Sequence, residues 1–359
     1  MHFRTFFRWR KIRMNRINLT IDGIKVTAPS GSTVLEAALE NDIYIPHLCY
    51  HADLTPAGVC RLCMVEIEGR PGLVISCKTP AAEGMLVKTD TDAINKVRRI
   101  TLELLITNHP EDCLACTQNM HCELQRVVDY VGVNRERLAS MRRPVLDNPI
   151  DDSNPFFIRD LDRCILCGIC VRTCEEIQGT GAIDFAFRGF NTKIATFANR
   201  PIAESNCESC GECVVRCPVG ALVLRKSVRP TREVKTVCTY CGCGCGVYLG
   251  VRGDQIVSAR GDEKSPVSQG YLCVKGRFGW EFIHHADRLK TPLIKKDGEF
   301  EEASWDEALD LIAEKFGQYK GDEFAALSSA RTTNEDNYVF QKFTRAVMQT
   351  NNVDHCARL

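Results

Sequence analysis

CILCGICVRTC at residues 164–174 and CESCGECVVRCP at 207–218 are one pattern written twice. Cys164, Cys167, Cys170 and Cys174 are spaced C-x2-C-x2-C-x3-C, and Cys207, Cys210, Cys213 and Cys217 repeat that spacing ahead of Pro218, where the first run has Glu175. Thiols this close cannot bridge widely as a disulfide framework, and they do not resemble the separated knuckles of a zinc site. They fit a cubane of iron and sulfide. The rest of the chain agrees, because its 359 residues hold 21 cysteines, nearly all in tight clusters. Metal is the reading left.

Composition narrows the function further. With 46 Lys+Arg against 46 Asp+Glu the formal charge is zero, which disfavours a nucleic-acid partner. Hydrophobic residues make up 44%, enough for packed cores rather than a disordered chain. No apolar run is long enough for a transmembrane helix, so no membrane span is expected. Residues 1–13 are a basic leader with Arg4, Arg8, Arg10, Lys11 and Arg13 and no acid. They lack an apolar stretch and a cleavage site, so a start at Met14 is favoured over a targeting segment.

The doubled run is that of two-cluster bacterial ferredoxins, in which the fourth cysteine of each run serves the other cluster. That resemblance implies one [4Fe–4S] cluster on Cys164, Cys167, Cys170 and Cys217, and a second on Cys174, Cys207, Cys210 and Cys213. Residues 151–230 form this domain. Upstream, residues 14–92 read as a β-rich domain with one helix. Ile17, Leu19 and Ile21 alternate, Asp22-Gly23 turns a hairpin, and Thr33 with Glu36 makes a capping box. Cys49, Cys60, Cys63 and Cys77 follow as C-x10-C-x2-C-x13-C, three close and one distant, which suits a [2Fe–2S] cluster better than zinc. The first spacing is longer than in plant-type ferredoxins. The segment resembles the β-grasp ferredoxin-like domain of the large iron–sulfur subunit of complex I, iron-only hydrogenases and NAD-linked formate dehydrogenases.

Residues 93–150 begin with a helix, about Ala93 to Thr107, carrying Ile94, Val97, Thr101, Leu104 and Leu105 at helical spacing and stopping ahead of Pro110. His109, Cys113, Cys116 and Cys122 come next, resembling the His/Cys3 [4Fe–4S] site of the same families; His121 is off that spacing. In residues 231–293, CTYCGCGCGVYLGV and GYLCVKGRFGWEF place Cys238, Cys241, Cys245 and Cys273 around a hairpin turning at Gly253-Asp254. This small β-rich [4Fe–4S] domain resembles that of molybdopterin oxidoreductases, formate dehydrogenases above all. The resemblance implies that Lys275 lies between cluster and pterin. Five clusters use 19 cysteines and His109 and leave Cys243 and Cys356 over, which predicts 18 irons.

Residues 294–359 open an α/β domain: Ser304 and Glu307 cap a helix through Phe316, Phe324–Ser328 reads as a buried strand, and a polar loop leads to a second helix. Such a loop can present N–H groups to a pyrophosphate, and by resemblance Arg331 and Asn334 would touch a molybdopterin guanine dinucleotide. One strand cannot close a sheet, so the domain reads as incomplete. In the formate dehydrogenases resembled, a stretch like NNVDHCARL is followed by a Cys or selenocysteine that ligates molybdenum or tungsten, and then by a His. That implies an end at an in-frame UGA beyond Leu359, with a split gene, an engineered end or a nonsense mutation as rivals.

The fold expected is therefore an α+β multidomain iron–sulfur protein. The function expected is the electron-transfer and partial catalytic region of a cytoplasmic formate dehydrogenase with a Mo or W bis-pterin site, interconverting formate and CO2 only when whole. A flavin-bearing NAD-reducing subunit, a hydrogenase subunit or a ferredoxin would be the electron partner. A non-enzymatic electron-transfer fragment and an iron-only hydrogenase-like subunit are the alternatives. The second is disfavoured by the segment after residue 230.

Overall fold

The computed structural model describes residues 15–110, 112–142 and 148–356. The basic leader and Leu359 lie outside the described residues. Chain contacts separate two units. One holds the described residues through Cys207 together with Glu212–Arg225, and the other holds Glu208–Gly211 together with Lys226 onward.

The first unit begins with a five-stranded sheet in the order β2-β1-β5-β3-β4. Its strands are β1 (Arg16–Ile21), β2 (Ile24–Pro29), β3 (Met64–Ile67), β4 (Val74–Ile75) and β5 (Leu86–Lys88). β1 and β2 form the expected hairpin, and Asp22 and Gly23 both take positive φ, the left-handed conformation a two-residue turn needs. Helix α1 (Val34–Leu39) starts at Thr33, whose hydroxyl accepts from the Glu36 N–H while the Glu36 carboxylate accepts from the Thr33 N–H. Its apolar face closes one core with Leu19, Ile21, Val26, Val65 and Val87. β1 pairs parallel to β5 while the other ladders are antiparallel, the mixed topology of a β-grasp.

Helix α2 (Asp92–Ile106) corrects one expectation. Ile94 and Leu102 are buried as their spacing requires, but Leu104 is 61% exposed, and the buried stripe instead includes Arg98 and Glu103. Charged groups tolerate that position because both are fully partnered. Glu103 pairs with Arg137 at 2.5 Å and accepts the Asn134 N–H at 2.7 Å, which pins helix α4 (Arg135–Met141) to α2; α3 (Glu123–Val131) precedes it. The doubled cysteine runs sit on short pieces: β6 (Phe157–Arg159) pairs with β9 (Leu222–Leu224), and β7 (Asp184–Ala186) with β8 (Lys193–Ala195). Helix α5 (Ile169–Arg172) runs into a π turn, Thr173–Ile177, and α6 (Glu212–Val215) is its counterpart.

In the second unit β10 (Arg232–Val237), β11 (Gly246–Arg252) and β12 (Gln255–Gly261) make an antiparallel sheet, with the hairpin turning where expected. Helix α7 (Val274–Phe278) follows Cys273. A hairpin of β13 (Leu293–Lys296) and β14 (Glu299–Glu302) leads to α8 (Trp305–Phe316), which carries the Ser304–Glu307 capping box. The expected buried strand is shorter and alternates. β15 (Ala326–Ser328) buries Ala326 and leaves Leu327 82% exposed, as a period of two dictates. It also has a neighbour: β16 (Val353–His355) pairs with it in parallel after α9 (Asn334–Ala346), so there are two strands here rather than one. No helix among the described residues is long and apolar enough to cross a membrane.

Candidate iron–sulfur and pterin sites

In the first unit the four thiols Cys49, Cys60, Cys63 and Cys77 are all at most 5% exposed. The Cys60 N–H donates to Cys49 Sγ at 3.5 Å, and the Ser76 N–H and hydroxyl both donate to the Cys63 carbonyl, at 2.9 and 2.8 Å. Hydrogen bonding from the Cys60 thiol holds Cys49 low, and Cys60 is pushed up in return; Cys63 and Cys77 form a second such pair. Arg98 cradles this loop from below. Its Nε donates to the Leu62 carbonyl at 3.0 Å, Nη1 to Thr89 at 2.8 Å and Nη2 to Met64 at 2.8 Å, so the carbonyls on either side of Cys63 are held by one guanidinium. The side chain is essentially inaccessible, and its acceptors are neutral carbonyls. Nearby negative charge favours such a buried cation, and a thiolate-ligated cluster would add to that of Asp22 and Asp90. The donor set fits a two-iron cluster.

His109 lies two residues past Thr107, the C-cap of α2, its N–H donating to the Ile106 carbonyl at 3.1 Å. The residue is half-buried, and its Nδ1 is buried with no hydrogen-bond partner among the described residues. A buried ring nitrogen without a partner is costly unless a ligand completes it. Cys113, Cys116 and Cys122 lie just beyond, with the Cys116 N–H donating to the Cys113 carbonyl at 3.1 Å. Arg163 fixes this stretch by a two-pronged contact to Asp112, at 2.7 and 2.5 Å, and by Asp160 at 2.8 Å. Gly220 packs so closely on Cys116 that a Cβ there would lie 2.7 Å from the sulfur. The residues after Cys217 therefore form one wall of the His109 site, which spacing alone could not reveal.

The doubled runs repeat in conformation as well as in spacing. Leu166 and Ser209 take φ of 53° and 56°, and Gly168 and Gly211 take 67° and 75°, so each run enters its short helix through the same left-handed pair. Cys167 is buried, and Cys164, Cys170 and Cys217 are half-buried among apolar side chains. Burial pushes the Cys164 thiol up to about 11 and that of Cys167 up to about 12, and raises Cys170 and Cys217 as well. Iron must displace the protons that these apolar walls hold on the thiols, so loading releases protons as it completes the fold. Cys174, Cys207 and Cys213 pack against the neighbouring core of Phe157, Val171, Ile183 and Leu222. Cys210 belongs to the second unit, where its carbonyl accepts from Arg277 Nε at 2.8 Å. One further apolar core contains Cys49, Cys60 and Cys167 and packs against Cys122, Cys164 and Cys217, sulfurs expected in three different clusters.

In the second unit the loop Cys238–Cys245 closes on itself, the Cys238 N–H donating to the Cys245 carbonyl at 2.8 Å. Tyr240 donates to the Gly279 carbonyl at 2.5 Å and Gly276 lies beside Cys238, which brings the Cys273 turn to the loop. Cys245 is pushed up to about 12 by burial and by the neighbouring Cys243 thiol, 3.5 Å away. Cys273 and Cys243 are exposed, as is Lys275. Asn334, the first residue of α9, donates to the Gly242 carbonyl at 2.7 Å, and any side chain at Gly242 would collide with it. Arg331 is exposed, its N–H donating to the Ser329 hydroxyl at 3.0 Å; that hydroxyl lies 3.5 Å from Cys356 Sγ. Sequence reasoning missed Arg98, Arg163 and Gly220. Only Arg98 carried a signal, being four residues from both Ile94 and Leu102 and so on their buried stripe.

Comparison with known proteins agrees with this layout. Residues 14–92 match the 2Fe-2S iron-sulfur cluster binding domain, 98–137 the NADH-ubiquinone oxidoreductase-G iron-sulfur binding region and 163–221 the 4Fe-4S dicluster domain. Residues 231–285 match the molybdopterin oxidoreductase Fe4S4 domain and 288–359 match molybdopterin oxidoreductase. The class so defined is an iron–sulfur electron-transfer protein with both 2Fe-2S and 4Fe-4S domains. Within it, the C-terminal part of the chain, residues 231–359, is similar to the molybdopterin oxidoreductases. It is 40% identical to an NADH-quinone oxidoreductase subunit of Rhizobium meliloti, over 95% of this chain and 40% of that one. It is 36% identical to the NADPH-Fe(3+) oxidoreductase subunit alpha of Geobacter sulfurreducens, again over 40% of the relative. A Bacillus subtilis protein provisionally named a formate dehydrogenase is 32% identical over 95% of this chain and 40% of its own length. The chain thus spans about two fifths of these curated relatives. The crystal structure of an NAD+-reducing [NiFe]-hydrogenase matches with a TM-score of 0.53 and 33% identity, covering 60% of this chain and 90% of that one.

Proposed function

We propose that this chain is the electron-transfer and N-terminal catalytic portion of a cytoplasmic formate dehydrogenase subunit, working beside a flavin and iron–sulfur partner that reduces NAD. The observation that carries the electron-transfer part is the shared core in which Cys49, Cys60, Cys122, Cys164, Cys167 and Cys217 meet. Thiols from three sites around one dry core are what closely spaced one-electron carriers require. The ligand sets are Cys49, Cys60, Cys63 and Cys77 for two irons, and four further sets for four irons each: His109 with Cys113, Cys116 and Cys122; Cys164, Cys167, Cys170 and Cys217; Cys174, Cys207, Cys210 and Cys213; and Cys238, Cys241, Cys245 and Cys273.

Molybdenum or tungsten on a bis-pterin, when bound in the whole protein, supplies the two-electron chemistry at carbon. Lys275, on the helix leaving Cys273, would then supply a cation between that cluster and the pterin, and Arg331 and Asn334 would supply polar groups near the N-terminus of α9. Domain boundaries at 92, 150, 230 and 293 follow the same assignment. A second reading is favoured by the 40% identity to an NADH-quinone oxidoreductase subunit: the same relay serving NADH-linked transfer without formate chemistry.

Iron and acid-labile sulfide analysis of the assembled chain tests the relay, with 18 irons expected; a content near zero overturns it. Formate-dependent dye reduction by a version extended past Leu359 tests the catalytic part. The 359-residue chain alone is expected to be inactive with formate. Dye reduction driven only by NADH through a flavin partner, with none by formate in the extended protein, selects the second reading.

A further inference from the structure

The ten residues between Cys49 and Cys60 exceed the plant-type spacing, and the two-iron site itself does not use them all. The helix between Cys170 and Cys174 does. Arg172 Nη2 donates to the Cys49 carbonyl at 2.7 Å and Nη1 to the Thr55 carbonyl at 2.7 Å. The same guanidinium turns back on its own run, Nε donating to the Gly168 carbonyl at 3.2 Å and Nη2 reaching the Cys167 carbonyl at 3.5 Å. Four residues on, Glu176 accepts the Thr55 N–H at 2.8 Å. Arg216, next to Cys217, pairs with Asp53 at 3.2 Å. Three side chains of the doubled run thus hold the lengthened loop, and one of them holds a cysteine carbonyl of each site.

We propose that Arg172 is a positioning residue for the two-iron cluster: it clamps the Cys49–Thr55 loop onto the Cys167–Gly168 turn, fixes the spacing between the two-iron site and the first cubane, and keeps the two-iron cluster easier to reduce. The inference rests on the ligand sets proposed above. The spacing follows from geometry, since a planar guanidinium bound to carbonyls on both loops leaves neither free to slide. The potential follows from charge. Reduction adds an electron to an already anionic site, and a cation beside Cys49 favours the more negative state. Glu176 and Arg216 hold the loop without touching a cysteine carbonyl of the two-iron site, which separates clamping from charge.

The test is an EPR-monitored potentiometric titration of the fully assembled chain, comparing wild type with R172Q, R172K and E176Q. R172Q is expected to lower the two-iron midpoint by about a tenfold change in the reduction equilibrium, ~59 mV for one electron, and to weaken the spin–spin broadening between the two-iron and cubane signals. R172K keeps the charge but cannot span both carbonyls, so it should restore most of the midpoint and little of the broadening. E176Q, whose amide oxygen still accepts the Thr55 N–H, is the control and should keep the broadening with no negative shift. An unchanged midpoint and unchanged broadening in R172Q overturn the proposal, as does R172K matching wild type in both. If R172Q fails to assemble, R172K still decides the clamp: wild-type broadening in that variant overturns it. Absence of any two-iron signal in wild type would overturn the ligand assignment instead, a result distinct from a two-iron signal that ignores Arg172.

Discussion

Two cysteine sites at opposite ends of the chain are built differently. Cys49, Cys60, Cys63 and Cys77 sit inside a closed core, with α1 across the sheet and Arg98 beneath the loop. Cys238, Cys241, Cys245 and Cys273 sit on a loop beside a three-stranded sheet, half-buried or exposed, with a spare thiol at Cys243 in their midst. Ladder and turn chemistry is equally sound in both places. What differs is the layer that covers them. The first site is held by core packing and a buried cation, the second by single hydrogen bonds, from Cys238 to the Cys245 carbonyl within the loop and between Tyr240 and Gly279 and between Asn334 and Gly242 across it. Stability and protection of the metal should therefore diverge between them.

The largest effect is expected where the closed site depends on a single side chain. Arg98→Met keeps most of the volume and removes the donors to the Leu62, Thr89 and Met64 carbonyls. Leaving such acceptors buried and unmet costs roughly 3–5 kcal/mol in total. The variant should lose its two irons and its two-iron EPR signal while the four-iron signals persist. Iron analysis and EPR read this directly, and a variant with full two-iron content and an unchanged denaturation midpoint would show that the cation is dispensable.

The same contrast explains what the sequence disclosed and what it did not. Cysteine spacing, the Asp22-Gly23 turn and both capping boxes are local, set by residues a few positions apart, and they were legible. Thr33 and Ser304 cap their helices in the same way, yet α1 is buried along its apolar face whereas α8 leaves Leu309 and Ile312 largely exposed. Capping fixes where a helix starts; burial depends on which surface meets it. The burial of Arg98 and Glu103, the Gly220 wall behind Cys116, and the pairing of β15 with β16 all need partners from distant positions. Periodicity could mark Leu104 as apolar on a helix, but not that it faces solvent.

A smaller effect follows from exposure. A ferrous chelator should strip the Cys238–Cys273 site roughly tenfold faster than the Cys49–Cys77 site, the ratio that a difference of about 1.4 kcal/mol in local opening produces. Stopped EPR time courses of the two signals measure it. Equal rates would mean that the open loop is guarded as well as the closed core.

The finest distinction is in pH. Both regions hide a carboxylate paired to a more exposed cation, as Glu103 is with Arg137 in the first and Asp262 with Lys235, at 2.7 Å, in the second. The hydrogen bond from Arg137 holds Glu103 below the ordinary glutamate value of 4.5, and the hydrogen bond from Lys235 holds Asp262 below 3.8. A carboxylate held low in the folded state stabilises it fully above its unfolded value, and that contribution fades as pH falls toward the folded value. The first region should begin to lose its contribution near 4.5, the second only near 3.8. Hydrogen exchange of peptides spanning 92–141 and 231–262, followed from pH 6 downward, should therefore show α2 and α4 loosening before the β10–β12 sheet. E103Q should abolish the earlier change and D262N the later one. Loosening of both segments together, unaffected by either substitution, would assign the acid response to the metal sites rather than to these pairs.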